Sequence, residues 1–480
     1  MSTCAPTVLW QDSGMFQYRI WQHDFRGGLG LALAHPLYHF IGIAVKNIPF
    51  GEFGYRVNLI SALCGAITVA NIYWCLVLLL RKHVSAIIGA LSLGFSWTFW
   101  QHASIAEVYT LYTAIFSFEL VLLVLYYQTT NIKILWLMLF INGLSVTNHM
   151  WGIIPLGCYA LFAAYLLYEK ELRIKHITIA FLCWGIGVFP YVCLIIEYYF
   201  TSHDIMHTIK SALFGELYGD DVLNTKMSLR VIKENVIFIF YNFATPNIVF
   251  IIFGIVYLRR RVKQYWHSLL LLSITFLFFV FAFRYTVPDR YAFFIPFYMC
   301  SALLIGVGVN QILIKYPAKI ISLSLVIFTL MPIMVYAIVP KIAQIREVSL
   351  GVKREIPYRN DYAYFLTPWQ GDNYGPEIFA KHALASVSEE GIIIADGTTL
   401  YPLWYTQVVK GISPSVKIIA SHGDYQSPLP LPDDAELKQL MQSHDVYVVS
   451  PVKGYCPENL LLNYTFKSVG PIFKIAAKTE

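Results

Sequence analysis

Over the first 340 residues the apolar positions come in long, nearly unbroken runs instead of one stripe per helical turn. Helices with apolar solvent on every side show this pattern, whereas helices with one wet face do not. A bilayer-spanning helix takes about 20 mostly apolar residues. That length predicts spans near 56–80, 84–100, 108–127, 134–149, 150–168, 177–200, 235–257, 267–284, 291–313 and 318–339. A shorter apolar stretch, 29–45, is interrupted by His35-Pro36 and is expected to lie in the membrane interface. After Pro340 the pattern changes to short β-branched runs, Gly391–Asp396 and Asp445–Val449, alternating with helical stretches at 377–387 and 435–443. Alternating strands and helices predict a small α/β domain over 341–480, attached to a helical membrane domain over 1–340.

Composition confirms the class. Charged residues are 13% and hydrophobic residues 57%, against about 25% and 45–50% in soluble domains, and the mean hydropathy is +0.57. The chain is a polytopic α-helical membrane protein, and nothing in it suggests a nucleic-acid partner. The 8 cysteines stand singly, which excludes a Cys-x-x-Cys zinc or dithiol motif. Only Cys4 and Cys456 fall outside the apolar spans, so they are the one candidate disulfide pair.

The connections carry the orientation. Arg81-Lys82, Lys133, Lys170 with Arg173 and Lys175, Arg259–Arg261 with Lys263, and Lys315 with Lys319 fall on alternate connections, which places them on the cytoplasmic side. Glu107, His149, the loops 201–234 and 284–290, and everything beyond 340 then face the other side. The segment before Tyr55 also falls outside, and from this one further span upstream of Met1 is expected. The rival arrangement, with 29–45 spanning and Asp12 cytoplasmic, would put Arg81-Lys82 outside.

Several outer-face residues carry candidate chemistry. Asp12, in Trp10-Gln11-Asp12-Ser13-Gly14, is either a general base or a helix-capping turn residue. Glu107 is either a second acid/base group or a first-turn glutamate complementing a helix dipole. Asn148 and His149 sit at another outer turn, where an imidazole can donate to a sugar or phosphate oxygen. Arg56, Arg284 and Arg290 lie at outer span ends, against the positive-inside trend, and suit a phosphate ligand or a local anchor; for Arg290 the neighbouring Asp289 is the obvious ion-pair partner. His203, Asp204 and His207 have the spacing of two ligands on one helical face but lack a third, so no metal is expected, and this loop reads as a lid. Glu119 lies inside a span with no partner legible in the sequence, and Asp396-Gly397 follows a strand end, where an ordinary turn competes with a ligand site.

Together these motifs resemble the GT-C type transmembrane protein O-mannosyltransferases and their bacterial relatives. The resemblance rests on Asp12-Ser13-Gly14, His35-Pro36 with Tyr38, Tyr55-Arg56-Val57-Asn58-Leu59, Ala106-Glu107-Val108-Tyr109-Thr110-Leu111, Gly143-Leu144 with Thr147-Asn148-His149, and Val287-Pro288-Asp289 with Pro296. It is strongest over the first 150 residues and looser at 356–359, 396–397 and 405–407. Two departures are plain: Met15 stands where members carry an acidic residue, and His35-Pro36-Leu37-Tyr38-His39 replaces a fuller His-Pro-Pro-Gly-Tyr-Pro run.

What the resemblance implies is a GT-C-like bundle with an extracytoplasmic α/β domain, in a bacterial inner membrane. The expected reaction moves a mannose or similar hexose from a polyprenyl-phosphate carrier to an acceptor hydroxyl on protein or glycan, by one inverting displacement and without a cofactor or divalent metal. Asp12 and Glu107 are the expected catalytic residues. His35, Arg56, Tyr109, Asn148, His149, Asp289 and Arg290 are the expected substrate ligands, with Arg56 and Arg290 on the donor phosphate. The outer domain is expected to select the acceptor and take no part in the transfer. The alternative is a transporter or flippase of a lipid-linked or small polar solute, but transporters place polar groups near the midplane of repeated halves, and here they gather at one face.

Overall fold

The computed structural model describes residues 2–216, 219–262, 266–287, 289–422 and 431–478; Lys263 and Pro288, named above, fall outside them. The membrane half consists of α1 (Gln11–Gln22), a 3-10 turn Leu31–Leu33, α2 (Pro36–Lys46), α3 (Phe53–Leu80), α4 (His83–Gly94), α5 (Trp97–His102), α6 (Tyr109–Thr129), α7 (Ile132–Asn148), α8 (Ile153–Tyr168) and α9 (Ile174–Ser202). It continues with α10 (Ile205–Phe214), α11 (Gly219–Leu223), α12 (Leu229–Asn242), α13 (Phe250–Arg261), α14 (Trp266–Arg284), α15 (Ile295–Lys315) and α16 (Lys319–Ile345).

Among the described residues 7 helices are long and apolar enough to cross a membrane, α4 and α7 are shorter apolar helices, and α12 and α13 form a pair bent by 115°. The expected span 235–257 is therefore not one straight helix. Pro246 has no N–H and cannot continue a helix but fits the start of one. The chain restarts there as the 3-10 turn Pro246–Val249, with Thr245 Oγ1 accepting the Asn247 N–H at 3.3 Å. The expected span 84–100 is likewise divided, at Phe95-Ser96 between α4 and α5. Helix α15 is the buried centre of the bundle. Helices α7 and α9 cross at Gly143 and Gly187, where a methyl on either would strike the other's backbone; small residues at such crossings let helices pack without a hydrophobic driving force.

The outer half adds α17 (Asp361–Leu366), α18 (Gly375–Ala385), β1 (Ile392–Ala395), α19 (Leu400–Lys410), β2 (Lys417–Ala420), α20 (Asp434–Ser443), β3 (Val446–Val448), α21 (Glu458–Asn463), β4 (Tyr464–Val469) and β5 (Ile472–Ala477). The sheet order is β2-β1-β3-β5-β4, with β1 parallel to β2 and β3, and β5 antiparallel to β3 and β4. Strand β1 is buried on both faces, which accounts for its unalternating Ile-Ile-Ile-Ala, since a strand covered on both sides has no wet face. The connection β1-α19-β2 leaves one side of β1 and the path to β3 returns on the other, so the carboxyl end of β1 is a topological switch point.

The two halves share a core. Val8, Trp10 and Phe16 at the N-terminus and Val57 of α3 cluster with Phe379, Ile393, Leu400 and Tyr405 of the outer half, and α16 runs on past 340 to Ile345. Cys4 and Cys456 are both buried and free, so the candidate disulfide is not formed. At the shared interface the buried Tyr405 hydroxyl donates to Glu52 and accepts the Gly54 N–H at 2.8 Å. Tyr405→Phe leaves both partners in place without their oxygen. It is expected to destabilise the protein by about 1–3 kcal/mol, read as a lower midpoint of thermal unfolding in detergent; an unchanged midpoint would show that the interface is held elsewhere.

Candidate active site

Asp12 owes its position to two fully buried amides. Gln17 Oε1 accepts the Leu9 N–H at 3.0 Å, and its Nε2 donates to Asn58 Oδ1 at 2.9 Å and to the carbonyls of Thr7 and Gly54 at 3.2 Å. Asn58 Nδ2 in turn donates to the carbonyls of Ala5 at 2.9 Å and Thr7 at 3.1 Å. Residues 5–9 are thereby bound to α3 in an extended path. Trp10 then packs on Phe379 at 5.5 Å between ring centroids, and Gln11 turns through a left-handed conformation at φ 52° while donating its N–H to Thr398 O at 3.3 Å. A non-glycine residue there costs of order 1–3 kcal/mol unless its surroundings enforce it. The turn sets Asp12 in the first turn of α1, facing a cavity of about 460 Å³.

That cavity brings together Asp12, His35, Glu107, Tyr109 and Asp289 from the membrane half, each expected from the sequence. Glu107 is gripped by Ser61, whose Oγ accepts the Glu107 N–H at 3.1 Å and donates to its carbonyl at 2.9 Å, while Ser13 Oγ donates to its carboxylate at 3.3 Å. His35 sits at φ 50° immediately before Pro36 and donates Nδ1–H to Asn148 O at 2.6 Å. Asn148 Nδ2 also ties the Val108 carbonyl at 3.0 Å, and His149 stacks on His35 with ring centroids 5.3 Å apart. Asn148 and His149 therefore stand behind the cavity wall and position His35 and the Glu107 segment.

The wall is acidic and enclosed. Burial, with Asp289 adding repulsion, pushes the Asp12 carboxyl up to about 7. Glu107 is pushed well above the carboxylate range by burial and then by Asp12 and Asp289, and burial raises Asp289 as well. Asp12 opens into the cavity whereas Glu107 is only 8% exposed. Burial lowers His35 to about 4 against the opposing bond to Asn148 O, which leaves a neutral imidazole with Nε2 as its acceptor.

Arg56 and Arg290, both expected at the donor phosphate, do not line this cavity. Arg56 closes the end of α2, donating to Lys46 O at 2.9 Å and also to Ile48 O. Arg290 turns away from its neighbour Asp289 toward α12, where it pairs with Glu234, donates to Asn235 Oδ1 at 3.2 Å and lies 5.3 Å over Phe238. In the loop 201–234, Asp204 caps α10 and His207 pairs with Glu216 at 3.5 Å; Leu217 and Tyr218 of that loop lie outside the described residues. Glu119 does have partners, Tyr159 Oη at 3.0 Å and Asn142 Nδ2 at 3.2 Å.

Of the other wall, sequence reading weighed only Asp396-Gly397, against an ordinary turn. Asp396, Gly397 and Thr398 after β1, His422 after β2, and Gly454 and Tyr455 after β3 all line the cavity. They are the carboxyl ends of the three parallel strands, so the outer domain forms part of the site. The signal available was the Asp396-Gly397 strand end. Asp396 is not free: Arg354 pairs with it, and its other oxygen accepts the Thr398 N–H at 2.9 Å.

The raised Asp12 carboxyl has a consequence for stability. In the unfolded chain it titrates near 3.8 and in the folded protein near 7, so the native state holds the proton more tightly. Its contribution is full below about 4 and is lost as pH rises toward 7. Asp12→Asn cannot ionise, and is expected to unfold at the same temperature as wild type at pH 4 and at a higher one at pH 8. A variant less stable than wild type at pH 8 would show that the folded carboxylate is not strained by its surroundings.

Residues 32–172 match the family model described as the protein O-mannosyl-transferase TMEM260 N-terminal domain. Protein O-mannosyl-transferase TMEM260 of Mus musculus is 29% identical over 179 residues, covering 35% of this chain and 26% of the mouse protein. The match thus spans about a quarter of that relative's length. Two solved structures share the fold. ArnT from Cupriavidus metallidurans bound to undecaprenyl phosphate superposes with a TM-score of 0.61 at 12% identity, over 100% of this chain and 96% of that one. The Archaeoglobus fulgidus oligosaccharyltransferase tethered with an acceptor peptide does so with a TM-score of 0.56 at 13% identity, over 98% and 70%. The chain is therefore a multi-pass membrane protein of the GT-C fold, similar over residues 32–172 to the N-terminal domain of a protein O-mannosyl-transferase.

Proposed function

We propose that this protein is a glycosyltransferase that moves a mannose or similar hexose from a polyprenyl-phosphate carrier to an acceptor hydroxyl on protein, at the extracytoplasmic face. The observation that carries the reading is the placement of Asp12, in the first turn of α1 and facing the cavity beside Glu107 and Asp289, where burial and Asp289 push its carboxyl up to about 7. A general base works best when its pKa lies near the working pH, and commonly contributes a factor of about 100 to 10,000 in rate. Ionised Asp12 takes the acceptor's proton as its oxygen attacks the sugar's anomeric carbon, and the bond from that carbon to the phosphate oxygen breaks. One displacement from the opposite face inverts the centre and needs neither a covalent intermediate nor a metal.

Burial and the neighbouring acids favour the protonated form of Glu107, and in that form it serves as a hydrogen-bond donor to the sugar or to the departing phosphate. Neutral His35 offers Nε2 to a sugar hydroxyl, and Tyr109 and Asp289 complete that wall, while the apolar Leu29, Leu33, Val287 and Phe293 suit the first units of the lipid chain. The similarity of residues 32–172 to a protein O-mannosyl-transferase supports mannose and a protein acceptor, and ArnT, solved with undecaprenyl phosphate, supports the lipid carrier.

The test is mannose transfer from a polyprenyl-phosphate mannose to a serine- or threonine-containing peptide by the purified protein. Asp12→Asn is expected to lower kcat at least about a hundredfold, and wild-type kcat is expected to rise with pH through a limb near 7, where Asp12 ionises. Near-normal turnover by the folded variant would exclude Asp12 as the base. Movement of the intact lipid-linked sugar across a vesicle membrane without transfer would favour a flippase instead.

A further inference from the structure

A phosphate-bearing donor needs a positive charge that the acidic wall of the reaction cavity does not supply. Asp12, Glu107 and Asp289 line its bundle side, and the fourth carboxylate, Asp396, is already paired with Arg354. No arginine or lysine is among the lining residues. A sugar phosphodiester brings one negative charge into this space, and breaking its bond to the sugar takes the phosphate toward two. Charge that develops in this way is stabilised by cationic donors already in place.

Two histidines remain in the lining. His35 stays neutral, because burial holds it at about 4 and its Nδ1–H is used on Asn148 O. His422 differs on each count. It is exposed just past the carboxyl end of β2 and lines the cavity from the sheet wall. Its Nδ1 lies 2.7 Å from Ser421 Oγ. Ser421 is itself fixed, being 4% exposed with its N–H donated to Ala395 O at 2.8 Å. The ring is therefore anchored on the end of the sheet through Nδ1, and Nε2 has no partner among the described residues. A protonated imidazole donates from both nitrogens: Nδ1–H then serves Ser421 Oγ, and Nε2–H is left for a ligand. The position suits an anion on general grounds too, since open α/β sheets bind ligands beyond the carboxyl ends of their strands. An inverting displacement also sets the base and the leaving group on opposite faces of the sugar. Asp12 stands on the bundle wall and His422 on the sheet wall.

We infer that protonated His422 binds the donor phosphate and stabilises the charge it gains on leaving, an assignment that rests on the transfer reaction proposed above and adds the residue that holds its leaving group. As the acceptor oxygen bonds to the anomeric carbon, the bond from that carbon to the phosphate oxygen breaks and its electron pair stays on the phosphate. The acceptor's proton goes to Asp12. His422 keeps its own proton and shares it with the phosphate through Nε2–H, so the step needs no further reactant.

The experiment follows mannose transfer from polyprenyl-phosphate mannose to a threonine peptide by the full-length protein, with polyprenyl phosphate as product inhibitor. His422→Gln keeps a polar side chain without the charge. It is expected to lower kcat at least about tenfold and to raise the inhibition constant of polyprenyl phosphate by a similar factor, as the loss of one charge-assisted hydrogen bond does, with the peptide KM within about twofold of wild type. His422→Arg and His422→Lys put a positive charge back at the same exposed place, and at least one of them is expected to recover most of both constants; a histidine that only shaped the wall would be replaced by neither. Wild-type kcat and inhibition constant in His422→Gln would overturn the inference. So would equal losses in all three variants, or a defect confined to the peptide KM, which would put His422 on the acceptor. In each of those cases transfer by wild type leaves the proposed reaction standing. Absence of both transfer and donor hydrolysis in wild type would overturn that reaction and this inference together.

Discussion

The buried amide pair Gln17–Asn58 is the constraint on which the site depends. Each amide is fully buried, and together they bond three backbone groups of residues 5–9, the Thr7 carbonyl twice, and one of α3. A buried amide left unpaired costs about 1–3 kcal/mol, so the pair forms with its full set of partners or not at all. Once formed, it leaves the chain before Asp12 one path, between α3 and the outer domain, and the left-handed turn at Gln11 becomes the way to enter α1. Asp12 faces the cavity because the segment before it is bound, and not through any preference of its own.

Electrostatics follows from that placement. Asp12, Glu107 and Asp289 face one cavity that Asp396, already paired with Arg354, also lines, and no arginine or lysine is among its lining residues. Lost hydration raises the first three, and repulsion adds to it at Asp12 and Glu107, as carboxyl groups crowded in a low-dielectric site do elsewhere. The same physics distinguishes them, because Asp12 is open to the cavity while Glu107 is buried. The basic residues at the outer span ends are used otherwise, Arg56 to close α2 and Arg290 to pair with Glu234.

The outer domain is part of the site. The carboxyl ends of β1, β2 and β3 supply one wall, α19 packs against α1 through Tyr401, Trp404 and Tyr18, and the Gln11 N–H is held by Thr398. An open α/β sheet presents its ligand-binding crevice at the carboxyl ends of its strands, next to a switch point. In this protein that crevice is apposed to the acidic face of the membrane bundle, and the reaction cavity is the space between them.

Length and apolarity alone located the membrane helices, because a bilayer demands long stretches free of charge and the chain can meet that demand only locally. Asp12 and Glu107 were legible as candidates for a related reason, since carboxylates beside apolar spans are costly and stand out, whereas His35, Tyr109 and Asp289 became candidate ligands through the family resemblance. The α/β domain was legible from its alternating short strands and helices. Tertiary structure alone decided which candidates meet. Arg56 and Arg290 carry the right charge at the right depth, yet their side-chain directions are set by α2 and by Glu234, which are remote in sequence. Helix α1 was not foreseen, since the polar Gln11–Gln22 segment is helical by virtue of what packs on it. Likewise the wall built by residues 396–398, 422 and 454–455 is hundreds of residues from Asp12 along the chain, and no local pattern records that a sheet edge will close over a membrane bundle.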